Sequence, residues 1–400
     1  MSRVELVALI AMMFSTIAFS IDSMLPALPE IAAELTPEAP NRAQLILTAF
    51  IGGMGIGTFF TGPLSDAYGR KPVILYGSVV YIGAAIVAWQ ARSLELLLAA
   101  RFVQGLGAAA PRVVAQAVIR DIFAGREMAR IMSFVLIIFG IVPVLAPTIG
   151  AGLIAVAGWR AVFVAYVLFA LGFAGWMALR LRETLPPDRR RPIRLSLLRA
   201  ALAELLSLPS VVYATGVLTL CFGILFTTLS MVQPVYDITF GRADSFPYWF
   251  GAIAVLAGSA SLLNAIFVMR LGMRRLITMA LGLQITLSSA MLIATGVGVE
   301  GDAALYLFVA WQLGVFFQIG LCIGNLNALA LEPVGHIAGM AASMINALGT
   351  VGAVVLAIPI GLAFDGTPLP LVIGVLVQAV LAFGLMLMLR RTERRAARAA

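Results

Sequence analysis

Charge, cysteine, histidine and lysine are all scarce in this sequence of 400 residues, and each scarcity removes a class of explanation. Only 12% of the residues are charged against 62% hydrophobic, and mean hydropathy is +1.03. A soluble fold could not hide that much apolar surface. The two cysteines, Cys221 and Cys322, both lie inside apolar stretches and imply neither a disulfide framework nor a metal site. No G-x-x-x-x-G-K-[ST] loop is present to cradle phosphates, so ATP is not expected to drive the protein directly. H-E-x-x-H, C-x-x-C and G-x-S-x-G are missing as well. An enzyme inside the membrane needs paired acids, or a nucleophile with its base, within the apolar stretches, and none is visible. The expectation is a non-enzyme with no metal and no cofactor.

What is present is a series of apolar windows of about 20 residues, the length that crosses a bilayer as a helix. They fall near 4–26, 43–64, 72–91, 94–118, 128–156 and 159–179, then near 210–233, 246–269, 274–297, 303–327, 337–362 and 368–390. The fold class is therefore an all-α polytopic membrane protein with twelve transmembrane helices in two six-helix bundles. The first bundle is expected at 1–179, a basic linker at 180–209, the second bundle at 210–392 and a tail at 393–400. The first stretch, Val4 to Leu25, is longer than the apolar core of a signal peptide and is read as a retained span.

The net charge of +8 and pI near 10.1 suit nucleic acid in a soluble protein, but membrane topology explains them better here. Of the 27 Lys and Arg, only Lys71 is a lysine. With the N-terminus inside, the outer loops hold just Arg42, Arg92, Arg160 and Arg242, and Arg101 and Arg112 lie within span 4. Every other basic residue falls in an inner segment, the linker or the tail. This asymmetry predicts both termini in the cytoplasm. Linker and tail are also placed to touch anionic lipid headgroups, and no nucleic-acid role is expected.

The chain is organised around Gly62-Pro-Leu-Ser-Asp66-Ala-Tyr-Gly69-Arg70-Lys71-Pro72, a charged hinge between spans 2 and 3. A weaker copy, Gly272-Met-Arg274-Arg275, stands between spans 8 and 9, with Met269 where the first copy has Asp66. The pattern G-x-L-x-D-x-x-G-R-K resembles the signature of major facilitator superfamily transporters. The resemblance implies two similar bundles around a midplane cavity. The hinge is read as a conformational latch, with Gly62, Asp66, Gly69, Arg70 and Lys71 as its parts and Asp66 accepting from helix N-termini or from an inner-loop arginine such as Arg120 or Arg126.

An ionisable side chain within a span needs a partner, water or a role. Asp22, in Asp22-Ser-Met-Leu-Pro26-Ala-Leu-Pro29, is the clearest such acid. Burial disfavours the charged form of a carboxylate and a nearby arginine favours it, so an acid held between those pulls can take up and release protons as water access changes. A structural acid at the end of a broken helix is the plainer alternative. The D-x-x-L-P-x-L-P pattern is similar to that of bacterial twelve-span drug:proton antiporters, of the bicyclomycin- and chloramphenicol-resistance type. In span 4, Arg101-Phe-Val-Gln104-Gly105-Leu-Gly107-Ala-Ala resembles the superfamily motif whose arginine is implicated in proton transfer. By helical spacing Arg101 and Arg112 share a face, flanked by Gln104 and Gln116. This stripe is expected to line the cavity opposite Asp22. Snorkelling is the plainer alternative for Arg112.

Span 5 holds Gly140, Pro143, Pro147 and Gly150, a pattern that looks like the glycine-proline motif of superfamily exporters; a packing kink is the alternative. Thr227, Gln233, Tyr236, Trp311, Gln318 and Asn346 are the second-half candidates for substrate contact, although aromatic and polar residues at helical spacing are more often packing. His336 is expected in a loop beside Glu332. The resemblance implies a proton-coupled exporter of small amphipathic drugs, acting as a monomer in a bacterial inner membrane on the proton gradient alone, and two span arginines against one acid suit a neutral or anionic substrate better than a lipophilic cation. A metabolite importer or exporter shares the same features, and a non-transporting receptor or scaffold is the distant third.

Overall fold

The computed structural model describes residues 1–190 and 192–399, so Arg191 of the expected linker and Ala400 of the expected tail lie outside the described residues. Among those described, every regular element is helical. The chain divides into two compact units, Met1–Leu195 and Ser196–Ala400.

The first unit contains α1 (Arg3–Asp22), α2 (Leu28–Leu35), α3 (Leu45–Tyr68), α4 (Arg70–Trp89), α5 (Leu94–Ile122), α6 (Gly125–Ala157) and α7 (Arg160–Arg180). Ser2 starts α1 with a capping box shared with Glu5, and Ser93 caps α5 by accepting from the Leu96 N–H. Pro26 and Pro29 explain why α1 ends at Asp22: neither has an N–H to carry the helical ladder on, and a short 3₁₀ turn, Leu25–Ala27, intervenes before α2. Together α1 and α2 make the first span. Helices α3 to α7 are the next five.

Glycines decide how closely α3, α4 and α5 approach. A Cβ on Gly105 would collide with the Phe50 carbonyl of α3, and one on Gly107 would meet the Tyr81 backbone nitrogen of α4 at 2.6 Å. The small residues of the R-x-x-Q-G-x-G-A-A segment are thus where two neighbouring backbones reach α5, the means by which helices associate where apolar burial gives no net drive.

The second unit holds α8 (Leu195–Ser207) at its start, then α9 (Pro209–Pro234), α10 (Phe246–Leu271), α11 (Met273–Gly296), α12 (Gly301–Leu331), α13 (Ala338–Leu362) and α14 (Leu369–Ala399). Among the described residues, eleven helical stretches are long and apolar enough to cross a membrane, one of them 62 residues long, Gly301–Leu362. At about 1.5 Å per residue that stretch is far longer than one ~30 Å crossing. It consists of α12 and α13 joined by a 3₁₀ turn, Glu332–Ile337, which makes twelve crossings in all. His336 lies in that turn and pairs with Glu204 of α8 at 3.0 Å.

The helices run past their apolar windows. Helix α14 continues through residues 393–399, so the segment expected as a tail extends the twelfth span, and the expected linker contains α8. Hydropathy reads the hydrocarbon layer, whereas helix formation continues wherever propensity allows, as in the Arg- and Ala-rich end of α14.

Candidate functional site

Near the end of α1 lies a buried polar cluster. Asp22 is 5% exposed, and its carboxyl forms no hydrogen bond or ion pair among the described residues. Around it the hydroxyls are shared: Ser23 Oγ lies 3.0 Å from Tyr166 Oη, which donates to the Ser20 carbonyl at 3.1 Å, and Ser20 Oγ lies 2.6 Å from Tyr81 Oη. Arg101, at 0% exposure, donates from Nη2 to the same Ser20 carbonyl at 2.9 Å and from Nη1 to Gln104 Oε1 at 2.8 Å. Its Nε reaches the Ile46 carbonyl at 3.4 Å, and the guanidinium stacks over Phe50 at 4.3 Å.

This arrangement corrects two expectations. Arg101 and Asp22 form no ion pair among the described residues; the guanidinium is held by carbonyls, an amide and a ring. The span-4 stripe does not share one environment either. Arg101 and Gln104 are buried where α1 and α3 cover α5, while Arg112 and Gln116 are exposed. Arg112 has no hydrogen bond or ion pair among the described residues, and it stands more than two turns before α5 ends at Ile122. Tyr81, Tyr166, Ser20 and Ser23, none of which stood out in the sequence, complete the cluster.

Span 5 meets the cluster at one point. A Cβ on Gly150 would run into the backbone of Ser23, the residue after Asp22, so α6 touches α1 there without a side chain between them. Pro147 is buried beside it, Pro143 is half-buried, and Gly140 is exposed with open space around it.

The hinge is built differently from the sequence reading. Helix α3 runs to Tyr68, placing Gly62 and Asp66 inside it, and the turn is Gly69 alone, with φ 102°. A side chain at that angle is strained, and a Cβ would also meet Glu183 Oε2 at 2.7 Å. Arg70 is buried and bridges three groups: Asp66 at 2.5 Å, Ser65 Oγ at 2.7 Å and Asp121 at 2.9 Å. Glu183, from the expected linker, accepts from the backbone N–H groups of Arg70 and Lys71 at 2.9 and 3.0 Å, capping α4. Lys71 Nζ donates to the carbonyls of Ala178 and Leu181. Arg120 is exposed and unpaired among the described residues, so the expected Asp66–Arg120 contact is replaced by Asp66–Arg70. Its neighbour Asp121 is the residue of that turn that enters the network.

The second unit repeats the design with other acids. Gly272 turns with φ 76°, and Arg274 pairs with Glu393 at 2.7 Å and Glu332 at 3.0 Å. Glu332 follows α12 much as Asp121 ends α5, and Glu393, inside the extended end of α14, takes the part that Glu183 plays after α7. Met269, standing in the place of Asp66, is exposed.

The second-half candidates are not gathered into one site. Tyr236 donates to Gln312 Oε1 at 3.0 Å, and Trp311 Nε1 donates to Ser288 Oγ at 3.0 Å; both rings pack on Phe308. Thr227 accepts from Gln378 at 3.4 Å, and Gln318 donates to Cys221 Sγ at 3.4 Å. Gln233 reaches Asp237 at 3.5 Å, and Asn346 donates to Asn327 Oδ1 at 2.9 Å. All but Asn346, which is half-buried, are buried. Gln378 of α14 is a partner that the sequence did not single out.

Residues 8–357 match the family model described as Major Facilitator Superfamily. The chain belongs to this superfamily. It is 33% identical to the "Bicyclomycin resistance protein homolog" of Haemophilus influenzae, with 82% of each chain covered. It is 29% identical to "Multidrug resistance protein MdtL" of Salmonella heidelberg, covering 82% of this chain and 80% of the relative. Among solved structures, the D-xylose-proton symporter aligns with TM-score 0.76 at 14% identity over 96% of this chain and 97% of the symporter, a likeness of fold alone. The motif resemblance to the drug-resistance branch thus agrees with the relatives. As a superfamily member the protein is a multi-pass membrane transporter of small molecules and not an enzyme.

Proposed function

We propose that this superfamily member is a proton-coupled exporter of small amphipathic compounds, drugs among them, working by alternating access in a bacterial inner membrane with both termini in the cytoplasm. The observation that carries the reading is Asp22, a buried carboxyl without a cation partner among the described residues. Such a group changes charge only when water or substrate reaches it, which is what coupling requires. Arg101 acts as its positioning residue: it fixes the Ser20 carbonyl and, through Tyr166, the Ser23 hydroxyl beside the acid. The names of the relatives, bicyclomycin and multidrug resistance, support export of drugs, and the Gly150 contact ties the span-5 motif to the same place.

The unpaired, exposed Arg112 is the residue that favours neutral or anionic cargo over lipophilic cations. Arg70 with Asp66 and Asp121, and Glu183 on Arg70 and Lys71, form the latch that holds the helix ends of the first unit together. The test is a resistance and uptake panel in an efflux-deficient host, with a proton uncoupler as control. Expression should lower drug accumulation, and the uncoupler should abolish the difference. Accumulation that stays low with the gradient collapsed contradicts the coupling.

A further inference from the structure

A cavity of about 490 Å³ opens at the Gly272 turn of the second unit, lined by Arg274, Arg275, Arg390, Arg394 and Glu393. Four arginines and one glutamate contribute to its lining, and the carboxylate is already engaged, because both oxygens of Glu393 accept from Arg274 Nε at 2.9 and 2.8 Å. Arg274 is further neutralised by Glu332. Arg275, Arg390 and Arg394 pair with no carboxylate among the described residues. Arginine stays charged at any accessible pH, so these three make the concavity a positive surface that attracts an anion.

The first unit shows where such an anion sits. There the carboxylate of Glu183 occupies the start of α4, accepting from the N–H groups of its first two residues. At the equivalent start of α11, no side chain accepts from the N–H of Met273, Arg274 or Arg275 among the described residues, because Glu393 faces the Arg274 side chain instead. The second repeat therefore presents the same helix start with more arginines and with its anion position open. The surface beside the cavity is apolar: Met269 of α10 is 86% exposed, and Leu387 and Met388 of α14 are exposed too.

We propose that this cavity binds the phosphate group of an anionic phospholipid. The Arg275, Arg390 and Arg394 guanidinium groups and the first N–H groups of α11 surround the phosphate, and the acyl chains follow the apolar faces of α10 and α14. Forked guanidinium donors match phosphate oxygens, and the flanking apolar surface selects a lipid over a free ion.

The test uses the full-length protein, delipidated in detergent and titrated with phosphatidylglycerol or phosphatidylcholine while bound lipid is counted by native mass spectrometry. The wild-type protein should bind phosphatidylglycerol at least tenfold more tightly. The double variant Arg275→Gln with Arg390→Gln should lose that preference, and a control pair in the first unit, Arg120→Gln with Arg126→Gln, should keep it. Arg275→Lys with Arg390→Lys, which retains the charge and tests for a mere folding defect, should recover most of it. A preference that survives the Gln pair overturns the site. In a parallel arm with inorganic phosphate, a rise in melting temperature as large as that given by phosphatidylglycerol, lost in the Gln pair, assigns the cavity to the free ion and overturns the lipid.

Discussion

Arg101 donates to the carbonyl oxygen of Ser20 at 2.9 Å, two residues before Asp22, and forms no ion pair with Asp22 itself among the described residues. Arginine and acid are therefore linked through the backbone of α1 and the Tyr166 hydroxyl, so Asp22 can change its charge without breaking a direct bond to Arg101. Arg101→Leu leaves the buried Gln104 Oε1 without its donor, at roughly 1–3 kcal/mol, and removes the ring contact with Phe50. Tyr166→Phe keeps its ring contacts with Phe19 and Phe163 and loses about 1 kcal/mol. Thermal unfolding in detergent should rank Arg101→Leu well below Tyr166→Phe. Equal losses would mean that the guanidinium does not organise the cluster.

At the hinge, Arg70→Lys cannot span Asp66, Ser65 and Asp121 together, since a point charge replaces a fork. Glu183→Gln weakens the cap on α4 by roughly 1 kcal/mol. Both variants should transport more slowly and melt lower than wild type, whereas Arg120→Lys should match wild type in both assays. A defect in Arg120→Lys as severe as that in Arg70→Lys would restore the partner assigned from sequence and remove the one seen in the structure.

Gly150→Val puts a branched side chain where the Ser23 backbone lies. Overpacking of this kind costs about 1–3 kcal/mol and pushes α6 away from the end of α1. Transport should fall sharply in Gly150→Val and stay near normal in Gly140→Val, where there is open space. Equal transport by the two variants would show that the span-5 motif works through something other than this contact.

Arg112→Gln removes a charge within a span that has no partner among the described residues, so stability should not fall below that of wild type. Resistance to anionic and neutral compounds should fall relative to resistance to cationic ones. A uniform loss across all charges would make Arg112 a structural residue.

The twelve spans and the two-unit plan were legible because hydropathy at 20-residue spacing is a strong signal, and because the Gly69 and Gly272 turns carry a recognisable pattern. The partners were not. Asp121 lies next to Arg120, and only the helical rotation between them decides which one faces Arg70. Glu183 read as one acid in a basic linker, yet the chain folds back to cap α4. Helical spacing put Arg101 and Arg112 on one face but is blind to the fact that α1 and α3 cover only part of it. The cluster around Asp22 depends on Tyr81 and Tyr166, distant in sequence and unremarkable alone, brought together by glycine-mediated approach.

The central claim is that Asp22 carries the coupling proton, and transport by reconstituted vesicles tests it most directly. In Asp22→Asn, export driven by a pH gradient should drop to background, while exchange of labelled for unlabelled substrate at equal pH continues. Gradient-driven export at the wild-type rate in that variant would contradict the account.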